Sequence, residues 1–296
     1  MTKSFFQKEL TKIVKIALAE DCAISDITSD YVIKSNSYIS FEIKAREDII
    51  FCGKEVMSEV FSQLQRSKKF CNTRLNLKIF VKDGDVIMTD KPIACGIGDA
   101  KLIFAAERVL LNLIQHLSGI ATSTRDFVKK LNNEKINILD TRKTIPGLRI
   151  LQKQAVLAGG GKNHRMNLSD RILIKDNHIA VAGGAKEAIE AIKICSKSSV
   201  KKFQKIKIEI ECDTFKQVAE ALESGPEIIM LDNMKISEIK KSAQLIRSKS
   251  KKIQIEISGG VNEKNIQKFS KLDIDFISIG SLTHSVRAVD IGLDVI

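Results

Sequence analysis

Tryptophan is absent from this 296-residue chain and aromatic residues make up only 5% of it, so few flat rings are available for stacking on nucleic-acid bases. The scarcity matters because the formal net charge is +12, and a polyanion is the first partner such a charge calls for. Two acid-free basic tracts, Lys193, Lys197, Lys201, Lys202, Lys205 and Lys207, then Lys240, Lys241, Arg247, Lys249, Lys251 and Lys252, fall in helix-to-strand connections. They read as solvated surface. The cysteines, Cys22, Cys52, Cys71, Cys95, Cys195 and Cys212, never approach Cys-x-x-Cys spacing, and no histidine pair stands at zinc-ligand distance from them. Reduced thiols in a cytoplasmic protein are the simplest account. No sustained apolar stretch opens the chain, and the most apolar run, Leu102 to Ile114, is broken by Glu107-Arg108, so neither an export signal nor a membrane span is expected.

A more informative absence is local. Between Asp140 and Asp170 there is no acidic residue, yet the segment holds Arg142, Lys143, Arg149, Lys153, Lys162, His164 and Arg165, punctuated by Pro146, Gly147 and Gly159-Gly160-Gly161. Solvated helical faces mix both signs of charge, and basic tails lack apolar strands. Here Ile136 to Asp140 leads in and Arg171 to Lys175 leads out, so the cations belong to loops at strand ends, where binding residues tend to lie. The triple glycine matches neither Gly-x-Gly-x-x-Gly nor a P-loop frame around Lys162. An anion site is expected, of a kind those motifs do not describe.

The first third reads as mixed α+β. Ser4 is placed to cap an amphipathic helix reaching about Ala19, Tyr38 to Arg46 alternates as a strand, and Gly53 to Leu64 has helical spacing. Leu75 to Val81 and Pro92 to Ile97, separated by the turn residues Lys82-Asp83-Gly84-Asp85, form a small antiparallel sheet. From Asp99 to about Lys130 the pattern is helical, and Gly119 is a point at which that run divides. The domain boundary is set near there: residues 1–115 as an N-terminal α+β domain, to which 285–296 return, and 116–284 as an α/β domain.

Beyond the boundary apolar runs recur, each ending on a polar residue or glycine and most followed by a helix: Ile136 to Asp140, Ile172 to Lys175, Ile206 to Glu211, Ile228 to Asp232, Ile253 to Ser258 and Phe276 to Gly280. Near-continuous isoleucine and leucine means burial on both faces, and intervening helices mean parallel pairing. Six clear strands and one weaker segment predict a TIM-type or incomplete α/β barrel, with an open doubly wound sheet as the alternative.

In a barrel the C-terminal strand ends converge on one pocket. Arg142 and Lys143 follow the first of these strands, Lys175 ends the second, Glu211 and Asp232 end the third and fourth, and Ser258-Gly259-Gly260 and Gly280-Ser281 end the last two. Glycines ahead of a helix allow backbone N–H groups to approach an anion, so the last two segments predict a phosphate monoester site, although a tight turn is the plainer reading of either alone. Glu211 and Asp232 supply carboxylates to a cationic pocket. They suit Mg²⁺, sugar hydroxyls or a positively charged transition state, or else a salt bridge to Lys175 or Arg142. Glu209 shares a face with Glu211, whereas Cys212 points the other way and is a poor candidate nucleophile. Schiff-base chemistry at Lys175 is less natural than carboxylate or phosphate recognition among so many arginines. His164, beside Arg165, is better placed to donate to an anion than to bind metal.

Several long motifs, in order and spanning nearly the whole chain, resemble the quinolinate phosphoribosyltransferase family, also called nicotinate-nucleotide pyrophosphorylase (carboxylating). They are Leu139-Asp-Thr-Arg-Lys-Thr-Ile-Pro-Gly-Leu-Arg149, Gly159-Gly-Gly-Lys-Asn-His-Arg165 and Leu173-Ile-Lys-Asp-Asn-His178. Supporting segments are Asp26-Ile-Thr-Ser29, Glu107-Arg108, Leu117-Ser-Gly-Ile-Ala-Thr122, Leu231-Asp-Asn233, Ser258-Gly-Gly-Val261 and Ile279-Gly-Ser-Leu-Thr-His284. The resemblance implies an N-terminal α+β sandwich-like domain and an incomplete, roughly seven-stranded TIM-like barrel. It implies transfer of phosphoribose from phosphoribosyl pyrophosphate to quinolinate, with Mg²⁺, giving nicotinate mononucleotide, pyrophosphate and carbon dioxide in de novo NAD biosynthesis. It further implies a homodimer or larger assembly, a hexamer of dimers among them.

By the same resemblance Thr141, Arg142, His164, Arg165 and Lys175 hold quinolinate, Lys143 acts near the pyrophosphate or the substrate carboxylates, and Arg108 enters the neighbouring subunit's pocket. Glu211 and Asp232 hold ribose hydroxyls directly or through Mg²⁺, and Ser258, Gly259, Gly260, Ile279, Gly280 and Ser281 cradle the 5-phosphate. Ser25 stands where the family commonly has glycine. The nearest rival is the molybdenum-transport-associated relative of the family, expected to lack Lys175-Asp-Asn-His178. A rival of another class is a basic nucleic-acid-binding protein on a dead enzyme fold.

Overall fold

Thr2 has extended backbone, φ −78° and ψ 147°, which lets its hydroxyl accept from Phe5 N and start helix α1 (Lys3–Glu20). The expected cap at Ser4 lies instead inside the first turn. The computed structural model describes residues 2–198 and 206–296, the side chains of 196–198 apart, so Lys201, Lys202 and Lys205 lie outside the described residues. The chain forms two units: the first contains Met1–Arg125, Thr144–Gly160 and Leu282–Ile296, the second Asp126–Lys143 and Gly161–Ser281.

In the first unit α1 is followed by α2 (Ile27–Val32), β1 (Tyr38–Ala45), β2 (Ile49–Ile50), α3 (Lys54–Gln65), β3 (Leu75–Ile79), β4 (Val86–Ile87), β5 (Pro92–Asp99) and the start of α4 (Ala100–Leu131). The Lys82–Asp85 turn leads into β4, which pairs with β2, while β5 pairs antiparallel with β3. Asp83 of that turn accepts from Gly53 N at 2.9 Å and Lys54 N at 3.0 Å, supplying the cap that Gly53 has no side chain to give α3. Helix α4 runs unbroken for 32 residues. The expected division at Gly119 does not occur, because its missing side chain is the space taken by the Arg287 carbonyl, with which an added Cβ would collide. Helix α5 (Arg149–Ala158) and the edge strand β12 (Ile291–Val295) complete this unit. Strand β12 pairs antiparallel with β1 from Ala45↔Ile291 to Phe41↔Val295.

The second unit is built on a parallel six-stranded sheet, β6 (Asn137–Leu139), β7 (Ile172–Ile174), β8 (Ile208–Cys212), β9 (Ile228–Asp232), β10 (Gln254–Ser258) and β11 (Phe276–Ser278). Their order, β6-β11-β10-β9-β8-β7, places the first strand beside the last, as in a barrel. Beyond β6, Lys162 makes a single parallel bridge to Leu139, with Lys162 N on Ile138 O at 2.8 Å and Asp140 N on Lys162 O at 3.2 Å. This is the weak seventh segment, too short to close the ring. Ile210, Ile229, Leu231, Ile255 and Ile277 are fully buried, as strands covered on both faces require. Helices α6 (Asp176–Ala182), α7 (Ala185–Ser198), α8 (Phe215–Ser224) and α9 (Ile236–Lys249) follow β7, β8 and β9 in the chain's β/α rhythm.

That rhythm fails at the end. Gly259-Gly260 is not directly followed by a helix; only a 3₁₀ turn, Ile266–Phe269, comes before β11. After β11, Ser281 opens a single helical turn, α10 (Ser281–His284). The helix-start rationale for phosphate binding therefore fails at Gly259-Gly260, where loop backbone takes its place, while Gly280 stands directly before α10. Among the described residues no helix is long and apolar enough to cross a membrane.

Candidate active site

Parallel strands put their C-terminal ends on one side of a sheet, and there the second unit has a cavity of about 460 Å³. It is lined by Thr141, Arg142 and Lys143 after β6, His164 and Arg165 after the Lys162 bridge, and Leu173 and Lys175 at β7. Glu211, Met230, Asp232, Asn233, Ser258, Gly259, Gly260 and Ser278 complete the wall from β8 to β11. Eleven of the fifteen residues expected from sequence line this cavity, all but Arg108, Ile279, Gly280 and Ser281.

The cationic side depends on a buried scaffold. His164 receives an N–H bond from Arg165 at Nδ1, 2.7 Å, so its ring proton is on Nε2, which faces Glu209 Oε1 at 3.2 Å and Glu256 Oε1 at 3.5 Å. Arg171 Nη1 donates to Glu209 Oε2 at 2.9 Å, and Ser278 Oγ donates to Glu256 Oε1. Burial alone would raise the Glu209 carboxyl, but the hydrogen bonds from His164 and Arg171 and the charge of Arg171 outweigh it and hold it below the usual range. Burial, reinforced by the neighbouring Glu209, pushes Glu256 well above its range. Although His164, Glu209 and Glu256 offer atoms within 4.8 Å of one another, Arg171 on Glu209 and the Ser278 hydroxyl on Glu256 make this a hydrogen-bonded cluster in preference to a metal centre.

Arg165 is only 6% exposed, its Nη1 donates to the Arg171 carbonyl at 3.0 Å, and among the described residues it has no ion pair. Burial lowers its affinity for its proton, and Arg142 adds to the effect. Opposite in sign are Glu211, whose carboxylate takes Lys175 Nζ at 2.8 Å, and Asp232, which accepts from Asn233 Nδ2 at 2.7 Å. The salt-bridge reading of Glu211 is thus realised. Nearby Asp213 is raised by burial and by Asp232 and Asp176, a sign that negative charge gathers on this side. Gly259 and Gly260 have φ of +86° and +64°, and a Cβ on Gly259 would collide with Asn233.

Several expected residues lie elsewhere. Arg149 and Lys153 stand on α5 in the first unit, and Lys162 is exposed, so the acid-free segment is divided by the fold. Arg108 is exposed on α4 in the first unit. Ile279 is buried, its N–H on the Leu139 carbonyl at 2.9 Å; it, Gly280 and Ser281 follow Ser278 in sequence without lining the cavity. Cys212 is fully buried, and burial pushes its thiol up to about 12, in keeping with its exclusion as nucleophile. Sequence reading passed over Glu256, Arg171 and Ser278. The available signal was Glu256 itself, a charged residue between Ile255 and Ile257 in a strand that is otherwise apolar.

Residues 26–118 match the N-terminal domain model of quinolinate phosphoribosyl transferase, and residues 120–294 match its C-terminal domain model. The chain belongs to the quinolinate phosphoribosyltransferase family. It is 40% identical to a probable nicotinate-nucleotide pyrophosphorylase (carboxylating) of Bacillus subtilis, covering 97% of this chain and 93% of the relative. It is 41% identical to the protein of the same name from Methanocaldococcus jannaschii, over 96% of each. Among solved structures, the nicotinate-nucleotide pyrophosphorylase of Francisella tularensis superposes with TM-score 0.87 at 34% identity, covering 98% of this chain and 96% of that one. That of Ehrlichia chaffeensis gives 0.86 at 38% identity, covering 100% and 99%. All cavity-lining residues fall in the stretch matched by the C-terminal domain of quinolinate phosphoribosyltransferases.

Proposed function

We propose that this protein transfers phosphoribose from phosphoribosyl pyrophosphate to the ring nitrogen of quinolinate, releasing pyrophosphate and carbon dioxide and forming nicotinate mononucleotide for de novo NAD biosynthesis. The observation that carries this reading is Arg165, a buried guanidinium with no ion pair among the described residues, in the same cavity as Arg142 and facing the charge of Glu211. A buried cation left without a direct ion pair is unfavourable unless an anion arrives, and a planar guanidinium suits a carboxylate. Quinolinate carries adjacent carboxylates, and the sugar donor carries phosphates.

Arg142, Arg165 and Lys175 grip the dicarboxylate, with Thr141 and His164 shaping its seat and Lys143 meeting the pyrophosphate or a carboxylate. Arrival of the substrate draws Lys175 from Glu211, leaving Glu211 and Asp232 to hold ribose hydroxyls and stabilise the oxocarbenium charge. Loop backbone at Ser258-Gly259-Gly260, with Ile279-Gly280-Ser281, takes the 5-phosphate. After transfer the 2-carboxylate departs as carbon dioxide and leaves its bonding pair on the ring carbon beside the positive pyridinium nitrogen, and the cationic wall helps stabilise that carbanion until it is protonated.

Hard oxygen donors and an Asp232 with no cationic partner among the described residues fit Mg²⁺, which Glu211 and Asp232 would hold. When bound, the ion would supply charge neutralisation for the departing pyrophosphate. A homodimer, alone or in a larger assembly, brings Arg108 of one protomer to the other's pocket. Free cysteines support a cytoplasmic setting. The test is direct: purified protein with Mg²⁺, quinolinate and phosphoribosyl pyrophosphate yields nicotinate mononucleotide and carbon dioxide, and chelation stops it. Absence of product with both substrates and Mg²⁺ present overturns the assignment.

A further inference from the structure

Arg165 has two anchors, and both lead to the same buried residue. Its backbone N–H is held by His164 Nδ1 at 2.7 Å, and its Nη1 by the Arg171 carbonyl at 3.0 Å. His164 and Arg171 in turn each donate to Glu209, at 3.2 Å and 2.9 Å, one to each carboxylate oxygen. Glu209 is 0% exposed and does not line the cavity, so it acts on a ligand only through these neighbours. We propose that Glu209 is the positioning residue for quinolinate recognition: it fixes the His164 tautomer and the Arg171 backbone, and through them the Arg165 guanidinium, with Glu256 packed behind His164 as a support.

Electrostatics requires that support. Glu256 is also fully buried and packs against Glu209 and His164, where a second carboxylate charge would face the first across low-dielectric space. With its proton retained it places one net negative charge against Arg171 and leaves Glu209 free to take His164. The asymmetry predicts different consequences for two similar substitutions. Glu209→Gln keeps the shape but replaces an acceptor oxygen by a donor and removes the charge facing Arg171. Glu256→Gln keeps a neutral group able to donate.

The inference rests on the cavity being a quinolinate site, which turnover by the wild-type protein tests separately. Given turnover, Glu209→Gln is expected to raise KM for quinolinate at least tenfold while KM for phosphoribosyl pyrophosphate stays within twofold. Glu256→Gln is expected to keep both within about threefold. A folded Glu209→Gln whose two KM values are unchanged or rise together overturns the proposal, since a merely structural role would not single out quinolinate. If Glu209→Gln does not fold, the wild type decides. The chain has four histidines, so ¹⁵N-histidine NMR, assigned with His164→Asn, should show His164 neutral with its proton on Nε2. A charged ring, or a proton on Nδ1, removes the Arg165 anchor and with it the inference.

Discussion

At the residue scale the site is governed by where a charge has no partner of its own. Arg165→Ala removes the buried guanidinium, and a charge-assisted bond of this kind is worth about 2–4 kcal/mol. Steady-state kinetics with quinolinate varied should therefore show kcat/KM lower by roughly 30- to 1,000-fold, with the unfolding midpoint little changed. Cys212 makes the opposite point. With no exposure and a thiol raised to about 12, it should remain unmodified when the native protein is treated with iodoacetamide at pH 7.5, while exposed Cys22 and Cys71 react. Mass spectrometry of tryptic peptides reads this out, and rapid modification of native Cys212 would contradict the burial.

At the element scale, function depends on how strands end. The ends of β8 and β9 deliver Glu211 and Asp232, and the end of β10 delivers a loop with positive φ at Gly259 and Gly260. Gly259→Ala adds a Cβ against Asn233 and forces a non-glycine residue into the left-handed region, costing about 1–3 kcal/mol of stability by denaturant titration. Because Asn233 and Gly259 both line the cavity, KM for phosphoribosyl pyrophosphate should also rise about tenfold or more. A similar logic explains the long helix: Gly119 reads as a breaker in one dimension, but the approach of Arg287 backbone gives the glycine a packing role, and α4 continues.

At the scale of the whole molecule, buried titration and assembly become measurable. Glu256 has its folded pKa raised above an unfolded value near 4.5, so the folded state holds a proton that the unfolded state has lost. Its stabilising contribution is complete below that value and is lost as pH rises towards and through the raised folded pKa. Glu256→Gln cannot titrate, so its stability relative to wild type should increase between pH 5 and pH 8, as measured by urea midpoints. A constant difference across that range would contradict the assignment. For assembly, mixing Arg108→Ala with Lys175→Ala subunits should recover about a quarter of wild-type activity, since half of randomly re-formed dimers are mixed and each has one intact site. No recovery in proven mixed dimers would argue against a shared site.

The sequence by itself determined the β/α rhythm, because strands buried on both faces must be apolar throughout, and it marked the strand-end residues Arg142, Lys175, Glu211, Asp232 and Gly259 by interrupting that apolarity. Its charge pattern marked the segment from which Arg142, Lys143, His164 and Arg165 reach the cavity. Only the tertiary structure decided which cations share it, for linear neighbours such as Arg149 and Lys153 are taken by α5 into the other unit while Arg142 and Arg165 line one cavity. The fold also joined His164, Arg171, Glu209 and Glu256 from separate segments into one cluster. The physical reason is range: periodicity and turn chemistry act between near neighbours in the chain, whereas the balance of buried charges is set by distances in space.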